Sequence, residues 1–201
     1  GVTVAVLEEK AYEDGELIED ALDYVAQHRN GDVYYFGERV DNYEDGKLRD
    51  HAGQWLAGVD GAQPGVLIPA SPQAGQTVRQ ELAPGIAEDQ STVLALDERV
   101  SVPAGEYTGC MKTKDTTPLE PGVEEFKWFC PDVGLAREED ATGTNELVTI
   151  GASAPATSTE DDEDDDGDSV WTSPAIIALI AGAVALAVAA GSFAVVRRVR
   201  A

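Results

Sequence analysis

Two cysteines, Cys110 and Cys130, are the only thiols among the 201 residues. Tyr107–Lys114 and Val123–Cys130 read as strands on either side of a Pro118-Leu119-Glu120-Pro121-Gly122 turn. In a hairpin centred near Glu120 the two sulfurs face each other, with cross-strand Cβ atoms about 4.5–5.5 Å apart, within reach of a bridge. A thiolate nucleophile would need a neighbouring base. The two histidines, His28 and His51, lie in the other half of the chain, so a disulfide is predicted. Two histidines cannot complete a usual zinc site without carboxylates. No Gly-x-Ser-x-Gly, His-Glu-x-x-His, Cys-x-x-Cys or phosphate-binding glycine loop occurs. No catalytic residue, metal ligand or cofactor is therefore assigned, and a non-enzymatic role is expected. Asp162-x-Asp164-x-Asp166-Gly167 matches the start of a calcium loop, but its twelfth position is Ser173 instead of Glu. A charged spacer is the simpler reading. Paired carboxylates could hydrolyse glycosides, yet among 38 acids no pair is singled out. Tyr35, Trp55 and Trp128 could face an apolar ligand, though filling a core is the plainer role for them.

The turns describe the scaffold for these residues. Asp14-Gly15, Asn30-Gly31, Asp45-Gly46 and Asp60-Gly61 recur fifteen or sixteen residues apart. Such dipeptides favour type I′ hairpin turns, which need positive φ at both central residues. Between them Val2–Tyr12, Leu17–His28, Val33–Val40 and Leu48–Trp55 are expected strands. Leu17, Ile18, Ala21, Leu22 and Val25 also fit a helical face, but tight turns bracket the segment and favour a strand. Residues 58–72 are expected to be irregular, because Pro64, Pro69 and Pro72 exclude a central strand. Strands resume at Gln76–Leu82, Ser91–Val102, Tyr107–Lys114, Val123–Cys130, Leu135–Glu139 and Glu146–Ile150. The fold class is all-β: an antiparallel meander, either a sandwich or a curved half-barrel, over residues 1–152.

The C-terminal part is organised differently. Residues 153–170 carry eight acids and no base and read as a disordered acidic linker. Trp171 follows, then an uncharged run from Ala175 to Val196, then Arg197, Arg198 and Arg200. Twenty-two helical residues span about 33 Å, enough to cross a bilayer's hydrocarbon core. Arginines stay on the cytoplasmic side, so the expectation is a single-pass anchor in the cell membrane, with the β domain outside and the C-terminus inside. The chain opens at Gly1 as though already within a strand, and a signal peptide and a further N-terminal portion are expected before it. The net charge is -24 overall. Such acidity excludes nucleic-acid backbones as partners and leaves the bilayer, a protein or an apolar ligand.

Three stretches carry a resemblance: Tyr35-Phe36-Gly37-Glu38, the run from Gly53 to Gly65 (Trp-Leu-Ala-Gly-Val-Asp-Gly-Ala-Gln-Pro-Gly at its heart), and Leu119-Glu120-Pro121-Gly122-Val123-Glu124. With Val102-Pro103-Ala104-Gly105 they resemble a family of uncharacterised exported bacterial all-β proteins over roughly residues 2–150. The resemblance implies an exported β domain with no assigned reaction, so it transfers no catalytic role. The expected function is a membrane-anchored extracytoplasmic β domain with a non-catalytic binding or structural role. A carrier of an acyl chain or other apolar ligand is the alternative, and a carboxylate-based hydrolase is ranked last.

Overall fold

The structure, a computed structural model, describes residues 1–13 and 15–150 and, towards the C-terminus, the backbone strands Val184–Val188 and Phe193–Arg200. The first hairpin pairs β1 (Ala5–Glu13) with β2 (Glu16–Gln27), so the segment that also suited a helix is a strand. β2 pairs in turn with β3 (Val33–Glu44). One edge of β3 then takes three short strands: β4 (Lys47–Asp50), β5 (Trp55–Leu56) and β6 (Gln63–Ile68). The single strand expected over 48–55 is thus broken into β4 and β5. The expected irregular stretch contains β6, because Pro64 precedes Gly65, Val66 and Ile68, the three residues that pair with β3, and its missing N–H interrupts no bond to that strand.

The second half is a meander of β9 (Gln90–Val102), β10 (Gly105–Thr116), β11 (Glu125–Cys130), β12 (Gly134–Glu139) and β13 (Thr144–Ile150). Two short strands join the halves: β7 (Thr77–Arg79) pairs with β9 and β8 (Glu81–Leu82) pairs with β6. β7 and β8 stand at opposite ends of the strand order, yet only Gln80 separates them. The sheet therefore curves until its two ends meet. All pairings are antiparallel.

The turns match their chemistry unevenly. Asp45-Gly46 and Asp60-Gly61 have positive φ at both residues, as type I′ geometry requires. At Asn30-Gly31 only the glycine does. There a longer loop is held by the Asn30 side chain, which accepts from the Asp32 N–H and donates to the Asp32 carboxylate.

Two small apolar clusters take the place of one core. Val25, Ala26, Val33, Tyr35, Trp55 and Ala83 pack in the first, with the β2–β3 hairpin. Val100, Val102, Trp128, Ala136, Leu147 and the disulfide pack in the second, within the β9–β13 meander. Cys110 and Cys130 are bonded, one step beyond the Met111–Phe129 pair, as the hairpin centred on Glu120 requires.

The acidic linker over 153–170 lies outside the described residues, as do Trp171 and most of the span read as a membrane helix (about 175–196). The described pieces near its end are backbone strands: β14 (Val184–Val188) pairs with β13, β15 (Phe193–Arg200) pairs with β1, and the two pair with each other. Arg197, Arg198 and Arg200 belong to β15. An Ala/Val run has no polar period to forbid strand pairing, and the edges of β1 and β13 offer unpaired backbone groups.

Candidate functional site

The curved sheet carries a half-open cavity of about 940 Å³. Alternation along the strands decides what lines it. In β2, Glu19, Ala21, Asp23 and Val25 point inward; in β11, Glu125, Lys127 and Phe129 do. The apolar face of a simple amphipathic strand would put its hydrophobic residues here. These strands set carboxylates among them.

β3 departs from simple alternation, and that departure builds the site. The register runs Val25–Tyr35 and then Asp23–Glu38, so β3 holds one extra residue opposite β2. This bulge falls at Phe36-Gly37, where Gly37 has φ of 123°. Tyr35 and Glu38 would face opposite sides of a regular strand. The bulge turns both inward. Gly37 is required on a second ground: a Cβ there would stand 2.3 Å from the Trp55 backbone oxygen on β5. Gly65 on β6 is bound in the same way, since its Cβ would fall 2.0 Å from the carbonyl oxygen of Gln80. The glycines of the familiar stretches thus permit close backbone contact, as turn and bulge residues do.

Asp23 and Glu38 are direct cross-strand partners, a like-charge arrangement that costs stability if both ionise. The Tyr35 hydroxyl donates to Asp23 Oδ1 at 2.8 Å and also acts on Glu38. Burial, then Asp23, Glu81 and Glu19, push the Glu38 carboxyl up to about 9, with the Tyr35 hydroxyl opposing. Glu81, from β8, is pushed up to about 7 by burial and Asp89, against the pull of Lys127. The Tyr35 phenol is held well above its usual range, first by burial and then by Asp23, Glu38 and Glu81. Trp55 packs edge-on against Tyr35 with ring centroids 5.4 Å apart. Its indole N–H approaches Glu81 but does not reach hydrogen-bond geometry.

The facing wall is centred on Lys127. Its Nζ lies 2.9 Å from Glu125, 3.5 Å from Glu138 and 3.6 Å from Asp115. Burial would lower the Lys127 pKa, but the carboxylates outweigh it and hold the ammonium well above its usual range. It is a fixed cation, unsuited to act as a nucleophilic amine. Beside it, Asp115 is 5% exposed and neither of its oxygens receives a hydrogen bond. Ser91 and Thr113, also buried, have no hydrogen-bond partner for their hydroxyls.

Of the three aromatics considered ligand-facing, only Tyr35 lines this cavity. Trp55 borders a smaller pocket of about 490 Å³ on the other side of Glu38. Trp128 packs under Lys112 and Arg137, 4.4 Å and 5.1 Å from its ring centre. His51 stacks no metal site: its Nδ1 lies 2.9 Å from Asp41, and His28 contacts Asn30 in the β2–β3 loop. Among the described residues no group of His, Cys, Asp and Glu converges tightly enough to hold a metal ion. Sequence reading passed over Glu38, Glu81 and Lys127. Alternation set Glu38 opposite Tyr35, and the signal that could have corrected this was Gly37, since a glycine inside a strand marks a bulge.

No family model matches the chain, and no curated protein does. One solved structure is similar, a candidate exported protein with a YmcC-like fold from Bacteroides fragilis NCTC 9343. It is 17% identical, with 68% of this chain and 87% of that chain covered and a TM-score of 0.28. Such a score is below the level at which two chains share an overall fold.

Proposed function

We propose that this chain is an extracytoplasmic β domain, tethered to the membrane by its C-terminal segment, whose interior cavity binds a hydrophilic ligand without catalysis. The observation that carries the reading is the cavity itself: a half-open space of about 940 Å³ on the curved sheet, with fourteen acids against two bases among its lining residues. Apolar side chains share the lining, but the carboxylates among them would be left unmatched against an acyl chain, which favours a hydrophilic ligand. The Cys110–Cys130 bridge supports an oxidising, extracytoplasmic location. The order of acidic linker, apolar run and arginines supports the tether. The test is native mass spectrometry on full-length chain extracted from membranes in mild detergent, with no ligand added. A retained polar small molecule is the expected result. An apo mass, or a bound lipid chain, overturns the binding reading. Recovery of the full chain in the soluble fraction overturns the tether.

A second reading, the carboxylate-based hydrolase, draws on one specific feature. Asp23 and Glu38 face each other through the Tyr35 hydroxyl, and unequal environments are how one carboxyl becomes an acid while its neighbour stays a base. Turnover of a glycoside that is lost in Glu38→Gln would favour this reading over simple binding.

A further inference from the structure

The cluster around Lys127 holds buried groups that its own contacts leave unsatisfied. Lys127 on β11 pairs directly with Thr113 on β10 and with Glu138 on β12. Asp115 lies one diagonal step away on the same face of the hairpin, within reach of a long side chain. Lys127 Nζ is 3.6 Å from Asp115 Oδ2, 3.5 Å from Glu138 and 2.9 Å from Glu125. Among the described residues no donor hydrogen-bonds either Asp115 oxygen, although the residue is only 5% exposed. The hydroxyls of Thr113 and of Ser91, directly across from Asp115 on β9, are also buried without partners. Buried ions need hydrogen bonds as well as a partner to offset their lost hydration, and Asp115 has the partner alone. Converting both ions into one neutral amide removes that cost.

We propose that Lys127 and Asp115 condense into an internal amide that staples β10 to β11, with Glu138 carrying the proton. The step needs no outside reagent. The Lys127 ammonium passes a proton through Glu138 to the Asp115 carboxylate. The freed amine's lone pair attacks Asp115 Cγ and forms the N–C bond. Glu138 takes a second proton from that nitrogen and gives it to the departing hydroxyl; the C–O bond breaks and one water leaves. Glu138 ends as it began. The high pKa of Lys127 bars attack on a bound substrate, because a proton released to solvent would leave three carboxylates uncompensated. A proton moved within the cluster leaves its charge unchanged. Two groups fixed side by side act at an effective molarity of about 10⁵–10⁸ M, which stands in for chemical activation. Glu125 is closer to Nζ, but its side chain is 35% exposed, so water solvates it and competes for the lysine. Asp115 meets no such competition. The amide lies nearer the hairpin turn than the Cys110–Cys130 bridge and, unlike that bridge, withstands reductant.

The test is mass spectrometry of the full-length chain after disulfide reduction and digestion with trypsin. Trypsin cuts after Lys114 and Arg137, and an amidated Lys127 is no longer a cleavage site. The expected product is peptide 115–137 in one piece, lighter by one water. Lys127→Arg keeps the cation but removes the amine, and should give peptides 115–127 and 128–137 at full mass. Glu138→Gln should slow the appearance of the bridge in newly synthesised chain by about a hundredfold or more. Near-UV circular dichroism verifies that both variants fold. Folded wild-type chain whose peptides all carry full mass, cut at Lys127 or not, would overturn the proposal. Water loss that survives in Lys127→Arg, or that sits on a peptide still cut at Lys127, would assign it to a cyclic imide at an aspartate and overturn the proposal too. An unchanged rate in Glu138→Gln would overturn the proton-carrying role.

Discussion

Glu38→Gln should stabilise the domain above neutral pH and leave it nearly unchanged at pH 5. The Glu38 carboxyl is pushed up to about 9 in the fold, against an ordinary value of 4.5. Between those values the folded state keeps a proton that the unfolded chain has released. The contribution of Glu38 is therefore fully present below pH 4.5 and is lost as pH rises towards 9. At pH 8 the gap of about 3.5 units corresponds to roughly 5 kcal/mol at 1.36 kcal/mol per unit. Glu38 borders a water-accessible cavity, which screens part of that cost, so about 2 kcal/mol is the realistic gain from a neutral isostere. For a domain of this size that is a melting point higher by about 4–8 °C. The assay is thermal unfolding of both proteins by circular dichroism from pH 5 to pH 8. Parallel curves, or a variant destabilised equally at every pH, would refute the claim that the fold keeps Glu38 protonated.

Four further outcomes follow from the same geometry. Replacing both Cys110 and Cys130 with Ser should lower stability by about 3 kcal/mol, from opening a loop of about 20 residues on the chain-entropy estimate; denaturant unfolding with and without reductant measures it. Gly37→Ala sets a Cβ 2.3 Å from the Trp55 backbone oxygen at a φ of 123°. It should cost about 2–4 kcal/mol and shift Trp emission to longer wavelength as β5 leaves β3. Lys127→Met leaves Asp115, Glu125 and Glu138 without their cation and should cost about 3–5 kcal/mol at pH 8. Thermal unfolding of both proteins at pH 8 measures the loss. Deleting residues 171–201 should release the chain from membranes into the soluble fraction; a full-length chain that washes off with high salt alone would count against the tether.

How far the residues alone carried the fold is clearest at particular elements. Asp45-Gly46 and Asp60-Gly61 declared their turns because few residues tolerate paired positive φ. The disulfide was legible because a hairpin centre and two equidistant cysteines fix a register. Leu17–Val25, ambiguous by period, resolved as strand because turn chemistry on both sides outweighed helix propensity. The breaks at β4–β5 and β7–β8 were not legible. They depend on where β3 and β9 present free edges, which is set by distant parts of the chain.

The candidate site belongs to that second kind. Acid abundance concealed Glu38 and Glu81, which are 43 residues apart in sequence and meet only because the sheet curves until β8 returns beside β6. The local sequence determined the strands, their tight turns and the bridge, since these depend on φ, on spacing and on near neighbours. Only the tertiary structure decided which carboxylates share a cavity, because the perturbation of a charge depends on burial and on what stands across the sheet.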